Sequence, residues 1–265
     1  QVEADAAQLD INTQFALFYE EKRPFFTQGS DFFSTRMSVL HTRTFADPDG
    51  GIKVSGKEGG NALGIFAVQD RITNLVFPAS EGSSEASLDA RSVGSVFRYR
   101  RDVFGSSSVG VMATDREGEA YHNRLAGVDG NLRITKSDIL RFQAVGTRTA
   151  YPEETAAAFG QPRNELAGAA IDVGYEHETR TLGWGASYTE VSREFRADLG
   201  FVPRVDYRSG EGAIEYTWNG DRDRWYTRME VSGGYEYAAS LAGTLLEKGP
   251  TLFALYEGPL QSTGI

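Results

Sequence analysis

Several features are missing from this chain of 265 residues, and each absence excludes a class of protein. The chain has no cysteine, which excludes disulfide frameworks, thiolate metal sites and cysteine nucleophiles. Its three histidines, His41, His122 and His177, are too scattered to suggest metal ligands. No segment approaches the roughly 18 consecutive apolar residues of a membrane-spanning helix. With 27 Lys plus Arg against 37 Asp plus Glu, the net charge of −10 argues against nucleic acid as a partner.

The hydrophobic pattern that is present has a period of two, which predicts β-strands. The clearest alternation runs from Thr181 to Val191, with an apolar face formed by Leu182, Trp184, Ala186 and Tyr188. The same division into one apolar and one polar face recurs at 140–144, 167–175, 209–219 and 224–237. Weaker alternation places further strands near 36–46, 50–59, 61–72, 89–103, 106–117, 121–134 and 248–258. The sequence therefore predicts about twelve strands.

The connections between these strands alternate between short turns and longer links, which predicts an up-and-down antiparallel meander. Short turns fall near 59–61, 104–106, 135–137, 179–180 and 220–223, and longer links at 73–88, 150–163, 193–208 and 239–247. The predicted strands are longer than the roughly 9–11 residues that a tilted strand needs to cross a bilayer. We therefore favour an outer-membrane β-barrel, whose apolar face contacts lipid and whose polar face lines the lumen, over a soluble β-sandwich or barrel.

Aromatic residues on the apolar face gather toward the strand ends, which is typical of girdles at the two membrane interfaces. The candidates for these girdles are Tyr175, Trp184, Tyr188, Tyr216, Trp218, Trp225, Tyr235 and Tyr237.

Residues 15–33, FALFYEEKRPFFTQGSDFF, do not alternate and resemble a motif of the bacterial outer-membrane barrel domain known as domain of unknown function 5916. The matching residues are Phe18, Glu21, Lys22, Arg23, Phe25, Phe26, Gly29, Asp31 and Phe33. Gln1–Asp5, Tyr99–Val103, Ser107–Gly110 and Leu199–Arg208 also resemble this family, in the family's order.

The resemblance implies a bacterial outer-membrane location and a carbohydrate-binding-like domain, similar to family nine modules, that precedes the barrel and is absent here. We expect residues 1–265 to form one barrel domain that is a piece of a larger barrel. Residues 15–33 would form an inward-folded or rim segment, and 36–260 the strand meander. Outer-membrane lipid is the expected partner, and an oligosaccharide or polysaccharide is the implied ligand.

Charged residues on the polar face are the candidate lumen or gate residues. They are Glu20, Glu21, Lys22, Arg23, Arg98, Arg100, Arg141, Asp172, Glu215, Arg228 and Glu230. In the first four, paired carboxylates beside paired cations would form either a gate or sugar clamp, or a salt-bridged turn that anchors an inward-folded segment. The others would either select solutes by charge or fill a narrow barrel with ion pairs.

No catalytic residue, metal site or cofactor is predicted, because no nucleophile motif or metal-ligand spacing is present. The preferred interpretation is a non-catalytic, porin-like channel or surface scaffold that handles glycans. Two alternatives remain open, namely a hydrolase of glycosidic bonds and a soluble all-β glycan-binding module.

Overall fold

The computed structural model describes residues 21–221, 224–258 and 263–264, and these form an all-β, antiparallel architecture. The described strands are β1 Pro48–Glu58, β2 Asn61–Asp70, β3 Thr73–Pro78, β4 Ser83–Leu88, β5 Ser92–Val103, β6 Ser107–Gly118, β7 Tyr121–Arg133, β8 Asp138–Ala150, β9 Leu166–Glu178, β10 Leu182–Val191, β11 Tyr207–Asn219, β12 Arg228–Ser240, β13 Leu245–Glu257 and β14 Thr263–Gly264. Two short helices, α1 Pro24–Thr27 and α2 Glu153–Ala158, and two 3-10 turns, Ser30–Phe33 and Thr42–Thr44, lie between them.

Twelve of these strands form one meander in the order β1-β2-β5-β6-β7-β8-β9-β10-β11-β12-β13-β14. β3 and β4 form a separate hairpin within the link between β2 and β5. The predicted all-β meander of about twelve strands is confirmed. Among the described residues, β1 and β14 lie at opposite edges of the sheet and do not pair with each other.

Three details of the predicted strand map are wrong. Residues 36–46 contain a 3-10 turn and one isolated bridge at Phe45 rather than a strand. The long link at 73–88 holds the β3–β4 hairpin, and the one at 239–247 shortens to four residues, because β12 and β13 extend into it. The apolar residues of 36–46 pack against the inner face of the sheet, so they are buried in the core without pairing as a strand.

The two faces of the sheet differ in exposure, and the difference is opposite to that of a soluble protein. On the outer face apolar side chains are open, as at Val111 (41% exposed) and Ile214 (57%). On the inner face charged side chains are buried, as at Arg98 (2%) and Arg116 (0%). Here the inner face is the one that contacts residues 21–47 and 192–206.

The core lies between the inner face and these two segments. Phe26, Phe33, Val39 and Phe45 from residues 21–47, with Phe195, Leu199 and Val205 from the link 192–206, pack on inner-face residues of β2 and β5–β8. Glycines in the sheet make room for the aromatic rings. A Cβ atom on Gly94 would lie 2.5 Å from the Phe45 ring, and one on Gly64 would lie 2.7 Å from the Phe33 ring.

The segments cover only one part of the inner face. We call the inner face of β2 and β5–β8 the covered part and that of β9–β13 the open part. The ends of β9 and β10 nearest the link 192–206, at Ala170 and Val191, still reach the core. β13 contains no buried residue. The polar inner face therefore has one packed and one open region.

Candidate functional site: the polar inner face

Buried ion pairs cross the covered part of the inner face. The Arg98 guanidinium forms a bidentate pair with Asp129, with Nη2 donating to Oδ1 at 2.8 Å. Farther along the sheet, Arg116 Nη2 lies 3.5 Å from Asp70 Oδ2, and both side chains are fully buried. Arg116 Nη1 also donates to the carbonyl of Asn74 at 2.8 Å, so this arginine joins the sheet wall to the β3–β4 hairpin.

A buried carboxylate fixes the link 192–206 to the same wall. Asp198 accepts hydrogen bonds from the hydroxyls of Tyr121 (2.7 Å) and Tyr151 (3.1 Å), while its backbone N–H donates to Asn123. Burial raises the pKa of Asp198, although the two hydroxyls and the charge of Arg116 oppose that shift. Burial and the nearby Asp198 charge also raise the pKa of Tyr151. The link is thus anchored by groups with no access to solvent.

The candidate cluster at the start of the described chain forms an anchoring contact. Arg23 Nη2 donates to Glu21 Oε2 at 2.7 Å and to the carbonyl of Thr42 at 2.9 Å, and the Thr42 hydroxyl donates to the same carboxylate. Burial alone would raise the pKa of Glu21, but these hydrogen bonds and the Arg23 charge outweigh it and lower the pKa to about 2. Lys22 is exposed, and Glu20 lies outside the described residues.

The remaining charged candidates lie mainly on the open part. Asp172 pairs with Arg36, which reaches across from residues 21–47, and it accepts a hydrogen bond from the Thr189 hydroxyl. Arg141 pairs with Glu176, and Arg228 pairs with Glu230. Glu215 accepts from the Thr217 hydroxyl at 3.2 Å, and Arg100 is half-buried on β5.

Two adjoining grooves of about 340 and 380 Å³ run along this open part. Their walls include small residues such as Ser187, the carboxylates of Glu211 and Glu236, several tyrosines and the guanidinium of Arg36. Glu211 and Glu236 are direct cross-strand partners on β11 and β12, an arrangement in which like charges repel. The grooves offer hydrogen-bond acceptors to a polar solute.

Of the eight aromatic candidates, Trp225 lies in the link between β11 and β12, and the other seven project from the outer face of the sheet. Tyr175 is half-buried, with its hydroxyl donating to Asp138 at 2.6 Å, and the remaining candidates are 38–65% exposed. Tyr188 and Tyr237 both flank Gly210 in the register, and Trp218 lies eight residues beyond it, about 26 Å along the strand. Tyr175, Trp184, Tyr216 and Tyr235 occupy levels between these two, so the seven strand aromatics form a continuous surface across β9–β12.

Several important inner-face residues were not among the sequence candidates. Asp70, Arg116, Asp198 and Arg196 are buried, and they lie in or beside segments where the apolar alternation is weak or absent. Each of the four has another charged residue within two positions, so the sequence pattern alone does not separate it from an exposed charge. Among the described residues, no three His, Asp or Glu side chains gather closely enough to hold a metal ion.

No helix in the described parts of the chain is long and apolar enough to cross a membrane. The chain matches no protein-family model and no curated protein. Among solved structures, it is similar to BamA from Haemophilus ducreyi lacking POTRA domains 1–3, with 10% sequence identity and a TM-score of 0.34. The similarity covers 74% of this chain and 41% of that chain, so this chain spans less than half the length of that protein.

Proposed function

We propose that this chain is part of an outer-membrane β-barrel whose outer face meets lipid and whose inner face carries polar groups. The observation that supports this proposal is the inverted exposure of the two faces. β8 illustrates it, because Leu140, Phe142 and Ala144 form an apolar stretch on the outer face between the charged residues Asp138 and Arg148. In water this outer surface would be an unusually large exposed apolar patch, whereas in lipid it is the favoured arrangement.

The proposal includes closure of the sheet by further strands. The edge strand β1 leaves Ile52 75% exposed and Val54 67% exposed, well above Val111 in the sheet interior. An unpaired strand edge cannot face the hydrocarbon, since its N–H and C=O groups would have no partner there. In a closed barrel these two residues would gain a neighbouring strand.

A matched pair of arginine substitutions tests the membrane orientation. Val173→Arg places a charge on the outer face of β9, whereas Ala213→Arg places one on the inner face of β11 in the open part. In lipid the first variant should lose about 2–4 kcal/mol of stability, and the second should stay close to the parent. Outer-membrane fractionation, with gel electrophoresis of boiled and unboiled samples, measures both. Two equally stable variants in a freely soluble product would contradict the proposal.

We further propose that this barrel handles glycans, and the family resemblance and the open grooves support this part of the proposal. Carboxylates and hydroxyls there, including Glu211, Glu236 and Ser187, can accept hydrogen bonds from sugar hydroxyls. Conductance of the reconstituted barrel, with and without added oligosaccharides, tests this part separately. If the barrel is heat-modifiable but no oligosaccharide changes its current, the membrane assignment stands and the proposal of glycan handling is wrong.

A further inference from the structure

A cavity of about 890 Å³ lies at the end of the sheet that carries the longer connections. Three of those connections form its walls, namely the tip of the β3–β4 hairpin, the segment after α2, and the link 192–206. This cavity is separate from the two grooves of the open part. Its volume is within the range of small-molecule sites.

The three walls are tied to one another by hydrogen bonds, so the cavity is preformed. The backbone N–H of Val205 donates to the Ala79 carbonyl at 3.1 Å, and Arg204 Nε donates to the Ser80 carbonyl at 2.9 Å. Arg196 Nη2 donates to Gln161 Oε1 at 2.9 Å. Because the walls are already held in place, a ligand would not have to order them on binding. This lowers the entropic cost of binding.

Arg196 differs from the buried arginines of the inner face. Arg98 and Arg116 each have a carboxylate partner, whereas Arg196, only 6% exposed, has none at ion-pair distance within the described chain. Its guanidinium donates only to neutral oxygens, those of Gln161, Arg193 and Phe195. The Arg196 charge acts on Asp198 from a longer distance, but the Asp198 carboxylate is occupied by two tyrosine hydroxyls.

The unpaired guanidinium lines the cavity, and a ligand anion would supply its missing partner. Nη2 has two hydrogens, and one of them has no acceptor among the described residues. A buried arginine without a carboxylate is costly, and a charge-assisted hydrogen bond to a ligand oxygen would offset that cost. Arg193, which is exposed on the same wall, would add attraction at the entrance.

The other lining groups restrict the kind of anion. Three carboxylates, Glu81, Glu194 and Asp206, also line the cavity and would repel a dianion such as phosphate. They would accept hydrogen bonds from hydroxyl or ammonium groups on a ligand. The stacked rings of Phe77 and Phe159, whose centroids are 4.7 Å apart, supply an apolar surface.

We propose that this cavity binds a small organic carboxylate whose carboxyl group pairs with Arg196 and whose donor groups face Glu194 and Asp206. Two kinds of ligand carry both a carboxylate and such donor groups, namely an amino acid and a sugar acid. The proposal goes beyond the membrane assignment and does not depend on it, because the described connections alone form the cavity.

Calorimetric titration of the full chain, in detergent or in buffer, tests the proposal with defined probes. Phenylalanine and glucuronate represent the two sources, and phenylalaninamide and glucose are their counterparts without the carboxylate. We expect one carboxylate to bind at least about tenfold more tightly than its counterpart. Inorganic phosphate should bind more weakly than that carboxylate. Binding of phenylalanine identifies an amino acid source, and binding of glucuronate identifies a sugar acid.

Three variants separate recognition from folding. Arg196→Lys keeps the charge but loses the planar guanidinium, and it should weaken binding about tenfold. Arg193→Glu changes an exposed residue and should also weaken binding while leaving the melting temperature unchanged. Arg163→Gln is the matched control, because Arg163 is exposed on the same connection as Gln161 but does not line the cavity. It should bind like the parent.

Four results would overturn the proposal. They are no binding of either carboxylate at millimolar concentration, equal binding of the counterparts without the carboxylate, tighter binding of phosphate, or unchanged affinity in every folded variant among Arg196→Lys and Arg193→Glu. The Arg193 variant keeps the test decisive if the Arg196 variant fails to fold.

Discussion

The covered and open parts of the inner face belong to one continuous sheet but have different chemistry. In the covered part, Phe66, Val96 and Leu125 point inward and pack against residues 21–47 and 192–206. In the open part, the corresponding inward positions hold Ser187, Glu211 and Ser209, which face grooves. The outer face is apolar in both parts. The polarity of the inward residues therefore follows what lies against them, apolar where a segment packs and polar where a groove is open. The outward residues are apolar along the whole sheet.

This difference explains why the hydrophobic alternation varies in clarity along the chain. A strand that is polar on one face and apolar on the other alternates strictly, as β10 and β11 do. A strand that is apolar on both faces shows a continuous run, as in Leu63–Val68 of β2. Weak alternation in an otherwise alternating meander thus indicates an inner face that another segment covers.

The largest expected effect comes from removing a buried charge in the covered part. Arg116→Met should cost about 3–5 kcal/mol of unfolding free energy, because Asp70 is left fully buried without its cation. Arg141→Met is the control, since its partner Glu176 is 55% exposed, and it should cost no more than about 1 kcal/mol. Denaturant titration measures both. Equal costs would show that burial does not distinguish these two ion pairs.

A glycine comparison gives the next largest effect. A Cβ atom on Gly168 would lie 2.3 Å from the backbone of Phe195, so Gly168→Ala should cost about 3 kcal/mol by displacing the link 192–206. On the open part, a Cβ atom on Gly183 would meet its nearest neighbour at 3.9 Å, and Gly183→Ala should change stability by less than about 0.5 kcal/mol. A stable Gly168→Ala variant would mean that the link does not rest on β9.

The sequence predicted the strands better than it predicted what fills the sheet. The five strictly alternating segments correspond to β8–β12, because alternation is a local property of each strand. The packing of Phe33 and Phe45 under the sheet could not be predicted in the same way, since it depends on glycines at Gly64 and Gly94 that are distant in sequence. The same limit applies to Asp198, whose two tyrosine partners lie 77 and 47 residues away.

A smaller, pH-dependent effect should come from Glu21, which ties the two ends of residues 21–47 to each other through Arg23 and Thr42. Its pKa falls from 4.5 to about 2 on folding, so its stabilising contribution is complete above pH 4.5 and is lost as the pH falls through 2. We expect Glu21→Gln to remove about 2 kcal/mol at neutral pH and to flatten the pH dependence below 4.5. Unfolding midpoints from pH 6 to pH 2 measure this change. The exposed Glu154→Gln variant should keep the parent's dependence.

The smallest expected effect concerns Arg36, whose ion pair with Asp172 joins residues 21–47 to the open part. Its side chain is 32% exposed, so solvent screens the pair, and Arg36→Gln should cost less than about 1 kcal/mol. A double-mutant cycle with Asp172→Asn isolates the coupling, which should be about 0.5 kcal/mol. A coupling above about 2 kcal/mol would mean that this pair lies in a dry environment, because only desolvated charges interact so strongly. The open part would then be closed in solution, and the contrast between the two parts of the inner face would be lost.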